Sequence, residues 1–222
     1  EMEMLLENEE SPVFQQYGRL HDERIYVGSV DDIMMFANFT LIRNLPTLVE
    51  LFVDGTFRIL PFKARQLLVF LAELQGRPRP IFYGIMESAQ SRDYEAVFRY
   101  FGEYILGAHR AVLSVSSDFE QAIRAAVKNV WPQAEMVGCN FHHCQAIERR
   151  AKQSPGLAGG KLADGTPYRQ IVRMYKRISL LPLARVSTGF AALLDYIQEQ
   201  GDNEGFDPDD FRGVRHRRAL NE

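Results

Sequence analysis

Between residues 51 and 86 three apolar runs follow one another with almost no chain between them, and this spacing leaves little choice of architecture. Leu51-Phe52-Val53 leads through Asp54-Gly55 into Phe57, Ile59 and Leu60, which alternate with Arg58 as a half-buried strand does, so the first strand is expected over 51–60. The second run is Gln66–Leu74 and the third Pro80–Met86. Their joins, Pro61-Phe62-Lys63-Ala64-Arg65 and Gln75-Gly76-Arg77-Pro78, are short and rich in turn formers. Three strands so joined predict an antiparallel meander.

After Glu87 the period changes. Tyr94, Val97, Phe98, Phe101, Tyr104 and Ile105 predict a helix over about 92–106 with one apolar face. Ala111–Ser117 reads as a strand, Phe119 to Trp131 as a second amphipathic helix stopped by Pro132, and 134–139 as a last strand leading into a helix near His142. The resulting order, β-β-β-α-β-α-β-α, is that of an α/β fold with a ribonuclease H-like mixed sheet, in which the first and fourth strands lie side by side. Upstream, Arg24–Gly28 predicts a short strand, and Ser29 a cap for a helix through Ile33, Phe36, Ala37 and Leu41. The expected division is an acidic segment at 1–24, the core at 25–153, an appended helical insertion or extension at 154–200, and a tail at 201–222 without fixed structure. The appended part carries one helix along Tyr168 to Leu181 and another from Ser187 to near Gly201.

Composition narrows the setting. The chain has 222 residues, 46% hydrophobic and 25% charged, which fits one main globular domain. Five glutamates and no Lys or Arg in the first eleven residues speak against a secretory signal, and no apolar run reaches the ~18 residues of a membrane span. Cys139 and Cys144, five apart, form no disulfide framework, so a reducing compartment, cytosol or nucleus, is expected. The net charge of −3 conceals a basic stretch, Ala146–Arg185, with nine Lys or Arg against Glu148 and Asp164. Its residues Arg149, Arg150, Lys152, Arg169, Arg173, Lys176 and Arg177 could neutralise phosphates, or could simply be solvated helix faces.

Asp54 and Asp118 are the residues best placed for chemistry, because strand ends in open α/β sheets collect ligands and the expected strand order makes these two neighbours. Paired carboxylates suit two Mg²⁺ or Mn²⁺ ions ~3.5–4 Å apart, which activate a nucleophile and stabilise the leaving oxygen of a phosphodiester. The plain alternatives stay open: Asp54-Gly55 as a turn and Asp118 as a helix cap. Cys139-Asn140-Phe141-His142 is a CxxH element with His143 and Cys144 adjoining. Zinc takes about four ligands, and no second cluster of His or Cys accompanies this one, so a structural role for Cys139 and His142 is expected. Gly159-Gly160-Lys161 lacks the remainder of a phosphate-loop pattern.

Taken together, Phe52-Val53-Asp54-Gly55-Thr56-Phe57-Arg58, then Ser117-Asp118-Phe119-Glu120-Gln121-Ala122, then Glu135 to Gln145 with its CxxH, resemble the MULE transposase domain of Mutator-like elements over roughly residues 25–200. The resemblance implies a DDE-type recombinase core whose first two catalytic acids are Asp54 and Asp118, using Mg²⁺ or Mn²⁺. It implies cleavage of DNA at transposon ends and transfer of the freed 3′-hydroxyl to target duplex, in the nucleus after synthesis in the cytoplasm. The partners implied are therefore transposon-end and target DNA, with a second copy of the chain as a further candidate and no membrane. The third acid departs from the family's pattern: Glu199 and Glu204 are weak candidates, and the segment after Gly201 does not resemble the family's close. Three readings follow: a transposase core, active or truncated and inactive; a non-catalytic DNA-binding or protein-interaction module; and a nuclease that hydrolyses without joining strands.

Overall fold

The computed structural model describes residues 7–20, 22–31, 33–56, 64–157, 160–200 and 206–207. The chain divides into two compact units, Glu1–Cys139 and Asn140–Glu222.

The first unit is built on a seven-stranded sheet. In chain order its strands are β1 (Tyr26–Val30), β2 (Ile33–Ala37), β3 (Leu48–Thr56), β4 (Gln66–Leu74), β5 (Arg77–Met86), β6 (Ala111–Ser117) and β7 (Glu135–Gly138). Across the sheet they run β1-β2-β5-β4-β3-β6-β7. Neighbours from β1 to β3 are antiparallel, whereas β6 and β7 are parallel to β3 and to each other. The meander is thus present as β3-β4-β5, and the expected adjacency of first and fourth core strands is present as the β3–β6 pair. Residues 57–60, assigned to the first strand from sequence, lie outside the described residues.

Turn chemistry fixes the β4–β5 hairpin. Leu74 pairs with Arg77, leaving a two-residue loop in which Gln75 (φ 55°) and Gly76 (φ 73°) both have positive φ. This is the primed turn whose twist matches that of the flanking strands, and only Gly76 adopts it without steric penalty. A Cβ at Gly76 would touch nothing within 4 Å, so Gly76→Ala changes backbone energy alone. We expect it to cost about 1 kcal/mol in equilibrium denaturation and Gln75→Asn to gain a few tenths.

One face of the sheet is covered by two helices, α2 (Ser91–Tyr100, continued by a π-helical turn at Phe101–Leu106) and α3 (Gln121–Val130). Both follow the apolar spacing read from sequence. Their buried residues Val97, Phe98, Phe101, Ile123, Ala126 and Val127 meet Val49, Leu51 and Val53 of β3, with Leu68, Phe70 and Ala72 of β4. Phe70 is the hub, its ring 5.2 Å from Phe82, 5.4 Å from Phe98 and 4.9 Å from Phe101, and Phe98 stacks on Trp131 at 5.2 Å. Burying each such ring contributes about 1.5–3 kcal/mol.

Two sequence expectations need correction. The helix expected from Ser29 to Leu41 is instead strand β2, then a short helix α1 (Phe39–Ile42) whose cap Asn38 accepts from the Leu41 amide at 3.1 Å. Ile33, Met35 and Ala37 are buried and Met34 and Phe36 half-buried, a two-residue period imposed by pairing with β5. The start of the chain is also anchored earlier than expected: Phe14 is buried against Tyr26, and Glu9 pairs with Arg24 at 2.5 Å.

The second unit is helical, with α4 (Asn140–Gln153), α5 (Pro167–Ile178) and α6 (Leu183–Glu199). Thr166 caps α5 by accepting from the Arg169 amide at 3.1 Å, with Pro167 in the first turn. α6 starts after Pro182 rather than at Ser187, because Pro182 supplies the fixed φ and Leu183 onward can continue as helix. Ala151, Leu157, Tyr168, Ile171, Val172, Leu193 and Ile197 form its core. Of the tail expected without structure, Phe206 packs its ring 4.7 Å from Tyr168 and the Asp207 amide donates to the Tyr168 hydroxyl at 2.9 Å. The rest of 201–222 lies outside the described residues. No helix among the described residues is long and apolar enough to cross a membrane.

Candidate functional site

Parallel pairing of β3 with β6 sets the site. The register matches Leu51 with Val115, Phe52 with Ser116 and Val53 with Ser117, so Asp54 and Asp118 occupy neighbouring positions one residue further on. Adjacent strands lie roughly 4.8 Å apart, so the two backbones run side by side where these residues stand. Along β3 Val49, Leu51 and Val53 are buried while Glu50, Phe52 and Asp54 are exposed, so Asp54 stands on the face opposite the helices. Asp118 is half-buried, immediately after β6.

Asp118 is not the cap of α3, a position held by Glu120. Instead one Asp118 oxygen, Oδ1, accepts from the Glu120 amide at 3.0 Å, and the Ser117 hydroxyl donates to the Asp118 carbonyl at 2.9 Å. These short-range bonds fold the chain into a turn before the helix and fix the carboxylate. Cys139 closes the neighbouring strand, its amide donating to the Ser117 carbonyl at 2.7 Å.

Behind the acids lies a polar group that sequence reasoning missed. Tyr94 of α2 is fully buried, and its hydroxyl is 2.6 Å from Oε1 of Gln66 and 2.9 Å from Oε1 of Glu120. Burial raises the Tyr94 pKa well above its usual value, helped by the hydrogen bond to Glu120, by that carboxylate's charge and by the charge of Asp118. Glu120 is pushed up as well, by burial first and by Asp118, against the Tyr94 hydrogen bond and the Arg65 charge. Gln66 is completely buried, and among the described residues Nε2 has no acceptor. Turning its carboxamide over makes a consistent chain of donors, Gln66 to Tyr94 to Glu120, and leaves a carbonyl oxygen unpaired instead, the less costly of the two orphans. The same carboxamide fills the space beside Asp54: a Cβ on Gly55 would sit 2.0 Å from Gln66 Nε2, so a larger residue there would displace the buried Gln66 side chain.

Glu120 is bonded to Tyr94, which reaches it from the helix-covered side, while Asp54 is on the open one. Among the described residues no group of three or more His, Cys, Asp or Glu could hold a metal ion. Of the two candidates for a third acid, Glu199 is exposed at the end of α6 in the second unit, and Glu204 lies outside the described residues. The CxxH element spans the boundary between the units, with Cys139 ending the first and His142 in the first turns of α4. Both are half-buried.

Ion pairing within the second unit divides the seven basic candidates. Glu148 of α4 is bonded to Lys176 and, at 2.5 Å, to Arg169, both on α5. Asp164 takes Arg173 at 2.8 Å and Arg169 at 3.7 Å. Arg149, Arg150, Lys152 and Arg177 are exposed, without an ion pair to any described residue. The Lys176 hydrogen bond holds the Glu148 carboxyl below its ordinary 4.5, burial opposing and Arg169 reinforcing. A depressed folded-state pKa means stability that is present above the unfolded value and is lost as pH falls through the folded one. Glu148→Gln is therefore expected to destabilise the helical unit by about 1–2 kcal/mol near neutrality, with the difference from wild type shrinking below about pH 4.5. Chemical denaturation across that pH range, followed by circular dichroism, measures it.

Residues 50–146 match the family model of the MULE transposase domain, a span that contains Asp54, Asp118 and the CxxH element. Over that span the chain is similar to that family. No curated protein matches the chain.

Proposed function

We propose that the chain is the core of a DDE-type transposase in which Asp54 and Asp118 hold Mg²⁺ or Mn²⁺ and the exposed basic residues of the helical unit contact DNA phosphates. The observation that carries this reading is the parallel β3–β6 register, which makes neighbours of two aspartates 64 positions apart in the sequence. The strand order β5-β4-β3-β6-β7, three antiparallel strands and then two parallel to the first, supports a ribonuclease H-like sheet. DNA as substrate makes the nucleus the proposed site of action.

The donor set fits a hard divalent cation, since both groups are carboxylates and Asp54 is exposed on β3. When bound, such a cation supplies Lewis acidity at a phosphodiester and lowers the pKa of a water. The chain's own residues do the positioning: the turn at Asp118 to Glu120 fixes one carboxylate, and β3, pinned by β4 and β6 on either side, fixes the other. Arg149, Arg150, Lys152 and Arg177 would hold the duplex by its backbone.

A second reading has one observation in its favour. With no third carboxylate grouped with Asp54 and Asp118 among the described residues, a non-catalytic, domesticated DNA-binding or interaction module accounts for the same fold. One assay separates the readings: terminal-repeat duplex is incubated with the protein, Mg²⁺ or Mn²⁺ and a second duplex. Joining of a freed 3′-hydroxyl to the second duplex is the expected result. Hydrolysis without joining would make the protein a nuclease, and DNA retained but uncut would make it a binding module.

A further inference from the structure

We propose that Tyr94, oriented by Gln66, is a positioning residue for Asp118: its buried hydroxyl fixes Glu120, and the Glu120 amide fixes the Asp118 carboxylate. The proposal deepens the site described above, and its bearing on cation binding rests on that reading of Asp118.

The geometry is a chain of contacts reaching from the core to the strand end. Gln66 opens β4 and is completely buried; Tyr94 lies in α2 and is equally enclosed, so neither side chain can exchange its partner for water. The Tyr94 hydroxyl sits 2.6 Å from the Gln66 side chain and 2.9 Å from Glu120. Glu120, half-buried, is thereby tethered at its side chain, and its backbone amide is the donor that Asp118 Oδ1 accepts at 3.0 Å. Tethering one end of so short a turn restricts the other. Gln66 performs a second task in the same place, because its carboxamide covers Gly55 and so constrains the strand that carries Asp54. One buried amide and one phenol therefore reach both Gly55, next to Asp54, and Glu120, in the turn that holds Asp118.

A phenol whose sole task was to fill core volume would need no hydroxyl. Phenylalanine would fit the same apolar surroundings of α2, and no hydroxyl would then have to be brought into the core between the Gln66 carboxamide and the Glu120 carboxylate. The Gln66 carboxamide makes the same point, since a completely buried amide is retained at a cost unless its contact does something.

The test uses the full chain and two readouts. Backbone hydrogen exchange at residues 118–121 is compared in wild type and Tyr94→Phe, with amides of β4 and β5 as the reference for general stability. Faster exchange at 118–121 by about tenfold, with the reference amides unchanged, is expected from loss of one hydrogen bond. Unchanged exchange at 118–121, or an equal rise throughout the sheet, overturns the proposal. Glu120→Gln, which keeps an acceptor for Tyr94, is expected to behave as wild type, while Glu120→Leu is expected to reproduce Tyr94→Phe; Glu120→Leu behaving as wild type also overturns it. Mn²⁺ affinity, read by electron paramagnetic resonance, is expected to weaken by about tenfold in Tyr94→Phe, the usual effect of losing support behind a metal ligand. If wild type binds no Mn²⁺, the cation reading of Asp118 fails, while the exchange comparison still decides whether Tyr94 fixes the turn.

Discussion

Asp54→Asn and Asp118→Asn are each expected to lower strand cleavage by about 10³-fold or more, on the order of 4 kcal/mol of transition-state stabilisation. Asparagine is the informative replacement because it preserves everything except the charge. It sits in a turn as readily as aspartate, and its side-chain oxygen can still accept from the Glu120 amide. If Asp54 only shapes a turn and Asp118 only orders the approach to α3, both variants should therefore match wild type in stability and in every activity. If the two share a cation, the double variant should be scarcely worse than either single one, since groups that act as a unit do not add. Single-turnover nicking of labelled terminal-repeat DNA in Mg²⁺ and in Mn²⁺ measures all three. Cleavage that persists in the double variant removes the assignment.

The second large effect concerns salt. Each phosphate neutralised on duplex DNA contributes about −0.9 to the slope of log affinity against log salt. The seven basic residues singled out from sequence would give roughly −6, but Glu148 and Asp164 already engage Arg169, Arg173 and Lys176. The four exposed cations that remain, Arg149, Arg150, Lys152 and Arg177, predict roughly −3.6. Between 50 and 200 mM salt the two slopes differ greatly in outcome, at roughly two orders of magnitude lost against nearly four. Fluorescence anisotropy with a labelled duplex distinguishes them. Arg149→Ala should flatten the slope by about 0.9, whereas Lys176→Ala should leave it unchanged and act on the stability of the helical unit instead. A slope near zero removes this face from DNA contact altogether.

The sequence was a good guide where a segment's pattern admits one period. Gln66–Leu74 and Ala111–Ser117 are bounded by turn formers and too short for helices, and both are the strands expected, residue for residue. Asp118 follows directly on such a strand, as its sequence context suggests, whereas Asp54 lies inside β3, two residues before Thr56. Ile33-Met34-Met35-Phe36-Ala37 was not legible, because five consecutive apolar residues fit a helix face and a strand equally well, and hydrogen bonding to β5 made the choice. The Gln66, Tyr94 and Glu120 contact was out of reach for a different reason. Gln66 reads locally as a polar strand start and Tyr94 as one more aromatic on an apolar helix face, and only packing brings residues 66, 94 and 120 together. Basic residues were countable from sequence, but their neutralisation by Glu148 joins positions 21 and 28 residues apart on separate helices, beyond any local rule.

The parallel β3–β6 pair also has a kinetic consequence. A hairpin such as β4–β5 closes over two residues and can form early, whereas β3 and β6 have the whole of the meander and α2 between them and must pay the entropy of closing that long loop. The β3–β6 pair is therefore expected to form later than the β4–β5 hairpin during folding. An intermediate holding only β3, β4 and β5 would carry Asp54 alone, so the nascent chain acquires its proposed cation-binding character only when the sheet is nearly complete.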